Sequence, residues 1–200
     1  RGPTPEDPRA MEQRYVIAAL FGGRNGMLGR SLEGVDRNQL IAAVRAGLRN
    51  EDGRTRGCLA SVYANLPYAE MTPLLPDVHK AILENSPSGE MFDGQIQTAG
   101  LEMLSKNRVD EGIELIANYV RLQKRHGSEN HIVKILGLLE PYGAHAQRAI
   151  PLLEKAVYYF ENEETDFPKD GSLKKAALTR EAIAKIRAAT AKPELVKLAL

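Results

Sequence analysis

The chain has 200 residues, enough for one sizeable core or for an elongated array of small units. Its hydrophobic fraction of 43% and charged fraction of 26% are those of an ordinary globular protein, which argues against wholesale disorder. Basic and acidic residues nearly balance and leave a formal net charge of +1, so nucleic-acid binding is disfavoured, because that class usually carries a clear basic excess.

Three further features bear on where the protein resides. No apolar run reaches the ~18 residues needed to cross a bilayer, so we expect no membrane span. Cys58 is the single cysteine, and we interpret it as a buried, inert thiol, which leaves the compartment open. The chain starts at Arg1 without an initiator Met, so we expect a processed product or a piece of a longer protein.

Helical periodicity dominates the whole chain after a proline-rich arm at residues 1–8. The predicted helices cover, in order, residues 9–21, 36–50, 54–66, 72–85, 93–106, 110–125, 128–140, 146–161 and 172–190. We predict N-caps at Asp36, Thr72 and Ser172, whose side-chain oxygens suit the first free N–H groups of a helix. Gln39 is the expected capping-box partner of Asp36, and a short helix is expected after Pro193. No strand signal survives.

Two of these helices start with the same pattern. Met71-Thr72-Pro73-Leu74-Leu75 opens one and Ala149-Ile150-Pro151-Leu152-Leu153 opens the other, each after a turn that holds a Pro-Tyr pair. A proline in the first turn of a helix is favourable, because its missing N–H would be unpaired there anyway. The first helices of successive pairs start about 40, 35 and 44 residues apart, which is the period of two-helix solenoid units.

These starts resemble those of the HEAT-like family of helical repeats. The turn Glu51-Asp52-Gly53-Arg54-Thr55-Arg56 is similar to that family's acidic turn followed by an arginine, and the likeness covers residues 36–190. Asp110-Glu111-Gly112-Ile113 departs from it, because it lacks the proline. The resemblance implies an all-α superhelix, a HEAT/armadillo-like stack of helical hairpins. It also implies a binding or scaffolding surface on the second helices, with no catalytic residues. Residues 1–35 are predicted as a separate arm, helix and glycine-rich loop, and residues 36–200 as one repeat domain.

The glycine-rich loop at residues 22–30 is the strongest candidate for small-molecule chemistry. Its backbone could hold a phosphate or carboxylate, although neither the Walker A spacing nor the dinucleotide fingerprint is present. We favour a tight connector and keep an anion or ligand site as the alternative. The residues of that predicted site are Arg24, Asn25, Gly26, Arg30, Arg54 and Arg56.

The remaining polar residues do not predict a metal or a cofactor. His126 and His131 are five positions apart and have no cysteine partner, which does not suit a zinc site. We interpret the acidic stretch at residues 161–170 as a solvated loop between helices, and Asp93 as a helix N-cap rather than an acid–base partner of Glu90. In Tyr158-Tyr159-Phe160, two rings are expected in the core and the third at an interface.

The function we favour from the sequence is non-catalytic recognition of a protein or of another domain of the same chain. The predicted partner surface is formed by Arg45, His79, Lys80, Arg121 and Lys155. The alternative is an enzyme, or part of one, with the arginine-lined anion site at the glycine-rich loop. Nucleic-acid contact through the arginine-rich first third is a weaker third hypothesis, and a homodimer through the repeat ends is possible, because Ala199-Leu200 ends the chain without a polar cap.

Overall fold

The computed structural model describes residues 8–21, 32–50, 56, 59, 72–84, 93–122 and 128–198. The arm, the glycine-rich loop, Cys58 and most of the helix predicted at 54–66 lie outside these residues. The described helices are α1 (Pro8–Phe21), α2 (Arg37–Leu48), α3 (Leu75–Leu83), α4 (Asp93–Lys106), α5 (Gly112–Arg121), α6 (Ser128–Gly137), α7 (Ile150–Asn162) and α8 (Lys169–Ala188). In this part of the chain the only extended pairing is a parallel bridge between Val109 and Val196. The predicted all-α class is confirmed.

Two predicted helix starts and one predicted helix are wrong. Thr72 does not cap an α-helix, because Thr72–Leu74 forms a 3-10 turn and α3 starts after it. Ser172 is buried inside α8, which starts three residues earlier at Lys169. No helix follows Pro193, where the described chain is extended up to Leu198.

The chain divides into two compact units. Unit 1 comprises Arg1–Met103 with Ala199–Leu200, and unit 2 comprises Leu104–Leu198. In unit 1, α2 and α3 pack against each other. Their contact faces supply the buried residues Leu40, Val44, Leu48, Leu75, Val78, Ala81 and Ile82. Gly100 of α4 lies so close to Ile82 that a Cβ there would be 2.8 Å from the isoleucine side chain. The lack of a side chain therefore permits this close approach.

The start of α2 is set by a local capping contact. The Asp36 carboxylate accepts hydrogen bonds from the backbone N–H of Asn38 at 2.9 Å and of Gln39 at 3.0 Å. The predicted N-cap is therefore confirmed. We expect Asp36→Ala to destabilise unit 1 by ~1 kcal/mol, since the two N–H groups lose their acceptor. Asp36→Asn keeps an acceptor oxygen and is the control. Urea unfolding that gives equal stabilities for the two variants would contradict this role.

Unit 2 contains the helices α5 to α8. α5 contacts α6 and α7, and α8 contacts the same two helices. The core of this unit is made of aliphatic and aromatic side chains that are almost entirely inaccessible to water. They include Ile113, Ile116, Val120, Ile132, Ile135, Leu153, Phe160 and Ile183.

An irregular segment and the chain's last described residues are joined to the rest of unit 2 by backbone hydrogen bonds. Glu140–Ala149 is a 3-10 run interrupted at Gly143, whose φ of 54° suits glycine. The Ala144 N–H donates to the Ala191 carbonyl at 2.7 Å, and the Val196 N–H donates to the Arg108 carbonyl at 3.0 Å. Residues 189–198 therefore form an extended strap fixed along unit 2 by backbone hydrogen bonds.

Candidate functional site

Of the six residues of the predicted anion site, the structure describes Arg56. Arg24, Asn25, Gly26, Arg30 and Arg54 lie outside the described residues, so their convergence stays a prediction. Arg56 is 3% exposed, and its Nη2 donates to the carbonyls of Ala81 and Glu84, each at 3.0 Å. Those carbonyls belong to the C-terminal end of α3, where the last carbonyls of a helix have no partner within it. This guanidinium therefore stabilises the end of α3.

An open groove lies between α2 and α3 of unit 1. Three of the five predicted partner residues line it: Arg45, His79 and Lys80. The other lining residues are Arg49, Pro73, Pro76, Asp77 and Leu83. The fold therefore places three of the predicted residues along one groove and adds an arginine, an aspartate and an apolar edge.

The Asp77 carboxylate pairs with both arginines of this groove. It accepts from Arg45 Nε at 2.7 Å through one oxygen and from Arg49 Nη2 at 2.7 Å through the other. The Asp77 side chain is 10% exposed and lies in the first turn of α3, where the helix dipole favours a negative charge. Arg45 also donates from Nη2 to the Pro73 carbonyl at 2.8 Å. Two guanidinium groups therefore share one carboxylate, and one of them has a second anchor.

The groove keeps exposed positive charge and an apolar edge. The side chains of Arg45 and Arg49 are 38% and 65% exposed, so much of both guanidinium groups faces water. Lys80 pairs with Glu84 at 3.6 Å, and both side chains are exposed. At the far end Leu83 is 59% exposed, and His79 is half-buried. The groove thus presents N–H donors beside aliphatic surface.

The other two predicted partner residues lie in unit 2. Arg121 on α5 and Lys155 on α7 are both exposed, and these helices contact each other. The Arg121 Cζ lies 5.8 Å from the centre of the Tyr159 ring. Tyr158 is 60% exposed, whereas Phe160 is fully buried and Tyr159 is half-buried. These two helices therefore expose one aromatic ring and basic side chains to solvent.

Sequence reasoning missed Arg49 and Asp77. Arg49 stands four positions after Arg45, the spacing that places two side chains on one face of a helix. That spacing was a usable signal for a paired-arginine site. Asp77 had no such signal, because its contacts come from residues 28 and 32 positions away in the sequence. Its role depends on how α2 and α3 are packed.

The interpretation of residues 161–170 as a solvated loop is wrong for Glu164. Its side chain is completely buried, and its Oε1 accepts a hydrogen bond from Lys175 Nζ, which is 1% exposed. Other acids of the stretch, Glu163, Asp166 and Asp170, are exposed as expected. The loop is therefore attached to α8 by a buried ion pair.

The described residues contain no group of three or more His, Cys, Asp or Glu side chains placed to hold a metal ion. None of the described helices is long and apolar enough to cross a membrane. Comparison of the chain with known protein families, with curated proteins and with solved structures finds no match.

Proposed function

We propose that the protein is a non-catalytic recognition module built from HEAT-like helical repeats. Two contacts in unit 2 support the repeat assignment, because α5 contacts α7, both predicted second helices, and α6 contacts α8, both predicted first helices. In a two-helix solenoid the second helices of successive units lie side by side in one layer. Pro151 lies in the first turn of α7 and Pro73 in the 3-10 turn that leads into α3, which supports the shared start pattern.

The groove between α2 and α3 carries the functional proposal. It brings Arg45, His79 and Lys80, which the sequence marked for a partner surface, onto one open face. An exposed leucine beside exposed arginine donors is typical of a protein contact, where an apolar anchor is surrounded by polar groups. We therefore assign partner binding to this face of unit 1.

Selection from a random peptide display library against the full chain tests this assignment. We expect the selected peptides to share a motif and to lose about tenfold in affinity when Leu83 is replaced by serine, because an apolar contact at the groove is removed. Leu173→Ser is the matched control, since Leu173 is a similarly exposed leucine on α8 of unit 2. Peptides that bind both variants as tightly as the parent would refute the groove as the recognition site.

A further inference from the structure

The chemistry of the groove says what kind of segment it receives. We propose that the α2–α3 groove binds an acidic peptide segment, with a carboxylate of that segment held by Arg45 and Arg49. This inference rests on the proposed recognition function and specifies the class of partner. The carboxylate belongs to a Glu or Asp side chain of the peptide. An adjacent apolar residue of the same segment contacts Leu83 and the two prolines of the groove.

Charge balance is the first argument. Among the described residues, the two guanidinium groups contact a single carboxylate, that of Asp77, so this part of the groove holds one more positive than negative charge. The nearby ammonium of Lys80 is matched by Glu84 at 3.6 Å. The formal net charge of the whole chain is only +1, so the excess at the arginine pair is local rather than general. A carboxylate is the complement of such a site, because guanidinium forks bind carboxylates in two-pronged geometry.

Pre-organisation is the second argument. Arg45 is held by two acceptors, the Asp77 carboxylate and the Pro73 carbonyl, each within 2.8 Å. Arg49 donates from Nη2 to the other Asp77 oxygen, and its side chain is still 65% exposed. Ordering a free arginine when a ligand binds costs rotamer entropy. Here the contacts with Asp77 and Pro73 order the side chains before binding, so less entropy is lost. Asp77 is therefore a positioning residue, and the exposed N–H groups are the ones left for a ligand.

The apolar edge of the groove favours a peptide over another polyanion. Pro73 is exposed, Pro76 is half-buried and Leu83 is 59% exposed, and all three line the same groove as the arginines. A nucleic-acid backbone would leave these aliphatic surfaces uncovered and would need more cations than this groove holds. A peptide supplies carboxylates and aliphatic side chains together.

The test uses the full chain and a fluorescent peptide of alternating Glu and Leu, read by anisotropy. We expect it to bind, and we expect the same peptide with Gln in place of Glu to bind about tenfold more weakly, since the glutamine side chain cannot form a charge-assisted hydrogen bond with the guanidinium groups. Arg49→Gln should weaken the acidic peptide by a similar factor. Arg187→Gln should not, although Arg187 is an equally exposed arginine with one carboxylate partner.

Asp77→Asn separates positioning from simple attraction. It makes the groove more positive by one charge, so attraction alone would tighten binding of the acidic peptide. We expect weaker binding, because Arg49 loses its charged anchor and Arg45 keeps only the Pro73 carbonyl, with circular dichroism confirming that the variant is folded. Tighter binding would overturn the positioning role of Asp77 and the pre-organised pair.

Three other outcomes would overturn the acidic-segment proposal itself. These are equal affinity for the Glu and Gln peptides, no effect of Arg49→Gln, and tighter binding of single-stranded DNA than of the acidic peptide. The proposed recognition function is judged separately by the display selection. Selected peptides that need Leu83 but carry no acidic residue would leave that function standing and remove this inference.

Discussion

Glu164→Gln should destabilise unit 2 by about 3–5 kcal/mol, because it leaves the Lys175 charge buried without its carboxylate. Neither side chain has access to water beyond 1%. The ammonium of Lys175 also lies 4.7 Å from the Phe160 ring centre and 4.3 Å from that of Phe167. Cation–π contact offsets part of the loss, but a ring face does not replace a buried carboxylate.

Urea unfolding followed by far-UV circular dichroism measures this loss, and hydrogen exchange in peptides from α7 and α8 assigns it to unit 2. Glu154→Gln is the matched control, since Glu154 pairs with Arg187 on the surface with side chains 53% and 60% exposed. Exposed pairs contribute at most about 1 kcal/mol. A Glu164→Gln variant that loses no more stability than the control would show that the pair does not matter energetically.

Replacing both partners should restore most of the stability. With methionine at 164 and 175, neither position carries a buried charge, and both linear side chains fill similar space. The double variant should therefore be more stable than Glu164→Gln alone. If it is less stable, the ion pair itself, rather than the orphaned charge, supplies the stabilisation.

The buried pair also shows what the sequence could and could not reveal. Lys175 lies on the buried face of α8 with Ala176, Thr179 and Ile183, so helical spacing alone marks it as a lysine on a core face. Glu164 has no comparable signal, because it is one of several acids in a short stretch. Which acid turns inward depends on the path of the loop between α7 and α8, and that path is set by packing.

Helix starts were predictable where the cause is local. Pro151 falls in the first turn of α7 and Asp36 caps α2, because a fixed φ or a capping oxygen acts within a few residues. The strap at residues 189–198 was not predictable from local sequence. Val196 is extended because its backbone pairs with Arg108 and Asp110, which are far from it in sequence.

The candidate groove was also predictable only in part, because some of its contacts join residues that are distant in sequence. Arg45, His79 and Lys80 were identified from their positions on predicted helices, and all three line the groove. Asp77 joins Arg45 to Arg49 across two helices that are separated by a long stretch of chain. Helical periodicity assigns faces, but it does not say which face meets which. The ion-pair geometry that defines the groove could therefore come only from the fold.

Gly112→Ala should destabilise unit 2 by about 1–3 kcal/mol, the usual cost of overpacking a close contact. A Cβ at Gly112 would overlap the Tyr142 hydroxyl and would lie 3.1 Å from Leu104 Cβ. Tyr142 is completely buried, so a shift of its ring would disturb the surrounding core. Gly137→Ala is the control in α6, where a Cβ would meet nothing within 4 Å; there we expect a gain of up to about 1 kcal/mol.

Tyr142→Phe should rescue Gly112→Ala, because the overlapping atom is the hydroxyl oxygen. The next ring atom, Cζ, is 3.6 Å from the Cβ position, an ordinary contact distance. The hydroxyl has no hydrogen-bond partner among the described residues, and burial raises the pKa of this phenol above its ordinary range, so it stays protonated at neutral pH. Removing an unpaired buried hydroxyl should be neutral or stabilising on its own.

Urea unfolding of the two single variants and of the double variant gives a double-mutant cycle for residues 112 and 142. Because residues 112 and 142 are in contact, their effects should not add, and the coupling should exceed about 0.5 kcal/mol in the favourable direction. The double variant should then equal or exceed the parent in stability, since alanine is the better helix former. Additive losses would mean that the alanine is rejected by Leu104 instead, and that the first turn of α5 is fixed by the aliphatic core rather than by the tyrosine.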